Sequence, residues 1–310
     1  MDSRYALVAE GLSKSFNGLK AVDDLSLRVE AGEIYGFLGP NGAGKTTTIK
    51  MLLGLAAPDA GTIRIEGRDL AREPHAIKRR IGYLPERVAF YPNLTAIQTL
   101  KFFADLKGHS NADLKALLAS VGLAEFADKK VGTFSKGMVQ LLGFAQATVG
   151  DPAILLLDEP TTGLDPNWAR TVKDRVLEAN RRGATVFFSS HILSEVQELA
   201  KRVAILNRGK LVAQDTVANL RMAVQSKPQL RLVTGAQTQA ALERLKAFAG
   251  LESVRVEGPE IVVVCDAEAR SKVIADLAGA GILVQNLRTV DPSLEEVFLR
   301  YTESSRGAVR

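Results

Sequence analysis

The sequence predicts an α/β domain built on a mixed, largely parallel sheet, followed by a smaller α+β domain. Three observations carry this. Short, nearly all-apolar runs such as "PAILLLDEP" and "ATVFFSSH" have the pattern of parallel strands covered on both faces. Stretches with apolar residues three and four apart separate them, as crossover helices do. Near 221–228 the texture changes, and a compact tail with its own strand and helix patterns follows.

In chain order, "YALVAEGLSKSF", "LSLRVEAGEIYGFLG" and "TIRIEG" are rich in β-branched and apolar residues and read as strands. From about 87 to 150 the character is helical, in "AIQTLKFFADLKG", "ADLKALLASVGL" and "MVQLLGFAQATVG". Helices at Trp168–Arg181 and Leu193–Lys201 separate and follow the two apolar strands. The first domain thus spans 1–220, with a helical subdomain at about 87–150, and the second spans 221–310. The tail reads as strand "QLRLVTG", helix "TQAALERLKAF" and a hairpin "SVRVEGPEIVVVC" around Gly258-Pro259. Helix "AEARSKVIADLAGAG", strand "ILVQNLR" and helix "SLEEVFLRYT" complete it. That β-α-β-β-α-β order is ferredoxin-like with an added helix. The tail holds no catalytic constellation and reads as a structural or dimerisation module.

Composition bounds the function. A hydrophobic content of 46% and a charged content of 24% over 310 residues are those of an ordinary globular chain. No apolar run approaches the roughly 18 residues that cross a bilayer. The opening "MDSRYALVAEG" lacks a basic stretch followed by an apolar core, so no secretion signal is expected. The single cysteine, Cys265, excludes an intrachain disulfide and fits a reducing, cytoplasmic setting. The net charge of +5 is scattered rather than gathered on one stretch, so no nucleic-acid partner is expected.

The chemistry begins at Gly39-Pro40-Asn41-Gly42-Ala43-Gly44-Lys45-Thr46-Thr47, which fits G-x-x-x-x-G-K-[ST] between a strand and a helix. Its glycines let backbone N–H groups turn inward around an anion, and the helix start adds positive potential. Lys45 would reach the β- and γ-phosphates, and the Thr46 hydroxyl would ligate Mg²⁺. By composition alone the pattern should arise by accident in roughly one chain in a hundred this long, before its strand–helix setting is counted. The apolar strand "ILLLD" ends in Asp158, the expected second Mg²⁺ contact, and Glu159 follows where a carboxylate would accept a proton from the attacking water.

With these residues in hand, the chain resembles the ATP-binding subunits of ABC transporters. "DEPTTGLD" is similar to that family's Walker B segment running into its D-loop, ending at Asp165. "SSH" matches its switch histidine, His191, and "TFSKGM" its signature segment, with Ser135, Lys136 and Gly137 at the phosphate-contacting positions. Phe16 fits the aromatic that stacks on adenine. The ordered set covers about residues 5–220. The resemblance implies two ATP-binding domains facing head to tail, each ATP lying between one copy's phosphate loop and the other's signature helix. It also implies that Glu159 activates water, that His191 holds the γ-phosphate, and that Asp165 couples the two sites.

Three positions depart from the family pattern. Glu86 stands where most relatives carry glutamine, and it can still ligate Mg²⁺ through a carboxylate oxygen. Lys136 replaces a common second glycine and adds a cation near the partner's phosphates. Leu141 replaces a frequent arginine and weakens a supporting contact.

The resemblance implies a separate integral membrane permease and a position at the inner face of the cell membrane. "FYPNLTAIQTLKFF" reads equally as a groove for a permease helix or as domain core. The tail and the "YLPE" and "SKGM" stretches are similar to the exporter branch serving drugs, ions, lipids or polysaccharides. A narrower alternative is the ATPase serving copper-site maturation of nitrous oxide reductase. A rival of another class is a soluble ABC ATPase acting on ribosomes or DNA. Against it stand the single phosphate loop and the absence of sustained heptads between Lys45 and Asp158. A phosphate-loop kinase or GTPase would leave "FSKGM" and "SSH" without a purpose.

Overall fold

Alternating burial along Tyr5–Phe16 (β1) and Leu19–Glu30 (β2) joins them as an antiparallel pair, in which Phe16 faces Leu19 across a two-residue turn. Asn17 and Gly18 both take positive φ there, as a tight hairpin with right-handed strand twist requires. The structure is a computed structural model and describes residues 4–223 and 229–290. It divides into two units, Met1–Val217 and Ala218–Arg310.

In the first unit Ile34–Leu38 (β3) is buried throughout and leads into Lys45–Leu52 (α1). Ala60–Ile65 (β4) and Arg68–Asp69 (β5) extend the first hairpin into a sheet of order β2-β1-β4-β5. Pro74–Lys78 (α2) and the four-residue strand Ile81–Leu84 (β6) come next. Ala96–Lys107 (α3), Leu114–Ser120 (α4) and Lys136–Thr148 (α5) are the helices of the next stretch. Then come Ile154–Asp158 (β7), Pro166–Arg181 (α6), Thr185–Ser190 (β8), Leu193–Leu199 (α7), Arg202–Asn207 (β9) and Lys210–Thr216 (β10); Val217–Ala223 (α8) follows, all but its first residue in the second unit.

The main sheet runs β10-β9-β3-β8-β7-β6, parallel except for the edge hairpin strand β10. A continuous core joins Leu7, Leu25 and Val29 of the first sheet, Ile49 and Leu52 of α1, and Phe37, Leu156 and Phe187 of the main sheet. Removing these side chains from water is the main stabilising term, each worth about 1.5–3 kcal/mol. Among the described residues no helix is long and apolar enough to cross a membrane.

In the second unit Gln229–Val233 (β11), Thr238–Lys246 (α9), Ser253–Glu257 (β12), Glu260–Val264 (β13), Ala267–Gly279 (α10) and Asn286–Val290 (β14) make an all-antiparallel sheet of order β12-β13-β11-β14. This is the expected β-α-β-β-α-β connectivity. Leu230, Leu232, Ile261, Val263 and Cys265 meet Ala241, Leu245, Val273 and Leu277 of the helices in a separate core.

Several expectations need correction. The short strand β6 and helix α2 lack enough residues to show a period. The last strand begins at Asn286 rather than Ile282. Ile282 is drawn into the core while Leu283 lies 69% exposed, and pairing starts where Asn286 meets Val233. The expected helix "SLEEVFLRYT" lies outside the described residues. The stretch around α3 is core in part: Ala96, Leu100 and Ala104 are buried, whereas Tyr91, Phe102 and Leu106 are exposed. Leu141 is fully buried in α5, a packing residue; the neighbouring Gln140 reaches the Walker B turn instead, its Nε2 donating to the Pro160 carbonyl at 3.3 Å.

Candidate active site

Parallel strands end together, and ligand sites of open α/β sheets lie beyond their carboxyl ends. Here β8 lies between β3 and β7. Leu38 is level with Ser190, and Asp158 with Ser189. The phosphate loop leaves β3, Asp158 and Glu159 close β7, and His191 follows β8. Sheet order thus assembles three segments that are far apart in sequence.

The loop is shaped by close backbone approach. A Cβ on Gly39 would sit 2.6 Å from the Leu206 carbonyl, and one on Gly44, at φ +107°, 2.4 Å from the Ala21 carbonyl. Gly44 precedes α1, whose first turn holds no acidic residue, so its free N–H groups and positive end remain available to an anion. Pro40, Asn41, Gly42, Gly44, Lys45, Thr46 and Thr47 line a cavity of about 360 Å³, with Glu86, Glu159 and His191 opposite.

Lys45 is almost wholly buried. Its Nζ donates to the Gly39 carbonyl at 2.6 Å and ion-pairs with Glu159 Oε1 at 3.0 Å. The other glutamate oxygen meets His191 Nδ1 at 2.8 Å and accepts from the Thr162 hydroxyl at 3.0 Å. Glu159 sits at φ +49°, a left-handed conformation that costs a non-glycine residue about 1–2 kcal/mol. The bend carries its side chain into the cavity, and its N–H donates to Ser189 Oγ at 3.0 Å. Burial pushes the Glu159 carboxyl up, but Lys45 and His191 outweigh it and hold the group below the usual range.

Asp158 is the opposite case. Burial raises its carboxyl, the hydroxyls of Ser189 and Thr46 pull it back, and the charges of Glu86 and Glu159 raise it again, leaving it above the ordinary value. Ser189 Oγ donates to Oδ1 at 2.6 Å, while Oδ2 is buried with no donor in good geometry. An orphaned carboxylate oxygen beside a threonine hydroxyl, with a second carboxylate near, is a donor set suited to a hard divalent cation. Glu86 itself is exposed at the rim, on the loop after β6. Partial burial, with the charges of Asp158 and Glu86 nearby, pushes the half-buried Tyr83 hydroxyl up to about 12.

Phe16, Ser135, Lys136, Gly137 and Asp165 are not among the residues lining this cavity. Phe16 lies half exposed with the Lys14 ammonium 5.6 Å from its ring centre. Ser135 caps α5, accepting from Met138 N at 3.3 Å, and Lys136 lies against Gly163 of the D-loop. Asp165 caps α6 through Asn167 N and Trp168 N. The helix carrying the signature residues therefore starts at the surface, with Ser135 and Lys136 exposed. Sequence reasoning missed Ser189, Thr162 and Glu195. The first two stand inside the quoted motifs; Glu195 signals itself only as an acid on the otherwise apolar buried face of α7.

Fold and site together define a phosphate-loop nucleoside triphosphatase. A family model described as "ABC transporter" matches residues 22–162, and one described as "AAA domain, putative AbiEii toxin, Type IV TA system" matches residues 130–196. The linearmycin resistance ATP-binding protein of Bacillus subtilis (strain 168) is 33% identical over 304 residues, covering 96% of this chain and 98% of that relative. The daunorubicin/doxorubicin resistance ATP-binding protein of Streptomyces peucetius is 36% identical over 304 residues, covering 96% and 92%. A solved ATP-binding subunit of an ABC transporter superposes with a TM-score of 0.65 at 30% identity, over 70% of this chain and 92% of that one. A dimeric bacterial ABC transporter cassette, 22% identical with a TM-score of 0.64, shares the fold. The chain belongs to the ABC transporter ATP-binding family and is an ATP-hydrolysing subunit of that class. The copper-maturation and ribosome- or DNA-directed alternatives gain no support from these relatives.

Proposed function

We propose that this chain drives export through a separate integral membrane permease, working from the inner face of the cell membrane as a head-to-tail pair of identical copies. The observation that carries the pairing is the separation of the two phosphate-contacting groups. The phosphate loop lines the cavity, while the Ser135–Gly137 helix start lies outside it and is free to meet a second copy's nucleotide. A helix N-terminus facing the γ-phosphate would stabilise charge that one copy alone leaves exposed.

Within each copy the loop N–H groups and Lys45 hold the phosphates, and Phe16 stacks on adenine. Glu159 accepts the proton of the water that attacks the γ-phosphorus, so that ADP leaves and inorganic phosphate forms. His191, anchored on Glu159, orients that water and the γ-phosphate. Thr46, Asp158 and Glu86 would hold Mg²⁺, which neutralises phosphate charge when bound. Asp165, next to the partner's loop, would tie the two sites together.

For the permease, an apolar groove lined by Leu53, Val88, Phe90 and Phe103, beside the Glu86 loop, offers a place for apolar side chains of a docking helix. The relatives' names, resistance to linearmycin and to daunorubicin or doxorubicin, favour a drug-like cargo. The test is gel filtration of Glu159→Gln with ATP and Mg²⁺. A shift to the dimer that Lys45→Ala does not show supports the shared site, and a monomer under saturating nucleotide overturns it.

A further inference from the structure

A buried carboxylate that none of the motifs includes joins the two loops of the reaction centre. Glu195 is 9% exposed on the first turn of α7. Its Oε1 accepts from the Thr161 hydroxyl at 2.5 Å and its Oε2 from the Ser190 hydroxyl at 2.9 Å. Each donor stands next to a reacting side chain's anchor. Thr161 precedes Thr162, whose hydroxyl donates to Glu159; Ser190 precedes His191, which meets the same glutamate at 2.8 Å. Ser190 Oγ also accepts from Ile192 N at 2.9 Å, so the backbone on both sides of His191 is tied to this one hydroxyl.

From this geometry we infer that Glu195 is a positioning residue, a buried clasp that sets the Glu159–His191 contact by fixing the turn after β7 against the loop after β8. This rests on the roles proposed above for Glu159 and His191. The physical reason is that the turn after β7 and the residues just after β8 lie outside regular structure, and beyond the Glu159 N–H bond to Ser189 the Glu195 carboxylate adds a second, charged tie between them. Two hydroxyl hydrogen bonds to a charged acceptor, shielded from water, are stronger than neutral ones and leave little room for drift. A displacement of the order of 1 Å at the reacting groups suffices to cost about a hundredfold in rate. The two threonines divide the task, one facing inward to Glu195 and one outward to Glu159.

The test compares Glu195→Ala, Glu195→Gln, Thr161→Val and Ser190→Ala in the full chain, with and without His191→Ala, by steady-state ATPase kinetics and ATP titration. Glu195→Ala is expected to lower kcat at least tenfold with KM within about threefold, because the phosphate loop does not depend on the clasp. Glu195→Gln keeps the size and one acceptor and should recover most of the rate. In the His191→Ala background the further loss from Glu195→Ala should vanish, because both changes act through one contact. Full additivity in that background, or an unchanged kcat in Glu195→Ala, overturns the inference. If Glu195→Ala does not fold, wild-type kcat in both Thr161→Val and Ser190→Ala overturns it, and a three- to tenfold fall in each supports it.

Discussion

Replacing Glu159 with glutamine should weaken the nucleotide-free protein while making it respond more strongly to ATP. Lys45 and Glu159 are 6% and 7% exposed, with Nζ and Oε1 3.0 Å apart. At an effective dielectric near 20 their gross attraction is about 5 kcal/mol, much of it offset by the cost of burying both charges. Removing one partner of such a pair outright costs about 3–5 kcal/mol. Glutamine keeps the shape and a carbonyl oxygen toward Lys45, so about 2 kcal/mol is expected. For a domain of this size that corresponds to a fall in Tm of about 4–8 °C. A triphosphate supplies the missing negative charge, and in the wild type it must first draw Lys45 away from Glu159. A non-hydrolysable ATP analogue should therefore close the deficit, binding the variant about thirtyfold more tightly than the wild type. Differential scanning fluorimetry and titration with the analogue measure both quantities. A ligand-free Glu159→Gln that melts within 1 °C of wild type, or gains no extra shift from the analogue, refutes this account of the ion pair.

Other substitutions probe separate parts of the structure. Lys45→Ala should abolish detectable binding of a fluorescent ATP analogue, and unchanged affinity would contradict the loop's role. Gly44→Ala should cost about 2 kcal/mol or more, because φ +107° and the Ala21 carbonyl 2.4 Å away both oppose a Cβ; an unshifted urea midpoint would refute that. Lys107→Met should stabilise the fold by about 1 kcal/mol, since the Lys107 ammonium is buried without a hydrogen-bond partner. Burial lowers the Lys107 pKa, so its charged form opposes folding below the folded value. Stability of the wild type should rise as pH climbs from there toward the ordinary lysine value, and the gain from methionine should shrink over the same range. Urea melts at pH 7 and pH 9.5 check the sign, and a gain that grows with pH would be the wrong one.

Much of the candidate site is legible in the sequence. A phosphate loop holds its anion with consecutive backbone N–H groups, so eight residues suffice to write it, and Gly39 to Thr46 do. Asp158 and Glu159 close an apolar strand, and His191 follows another, so each is marked by its immediate neighbours. Strand periods fail on short or irregular segments. The four residues of β6 have too few turns of the pattern to reveal a strand, and Ile282 entered the core without entering the sheet.

What these segments do to one another lay beyond the linear order, because hydrogen-bonded neighbours in a parallel sheet are decided by crossovers and not by proximity in sequence. Seating β8 between β3 and β7 is what brings Lys45, Glu159 and His191 within 3 Å contacts. The same packing gives Glu195 its two hydroxyl partners, 34 and 5 residues away along the chain. Local backbone chemistry wrote the phosphate-binding loop; the burial of apolar strands against one another chose which charges would face it.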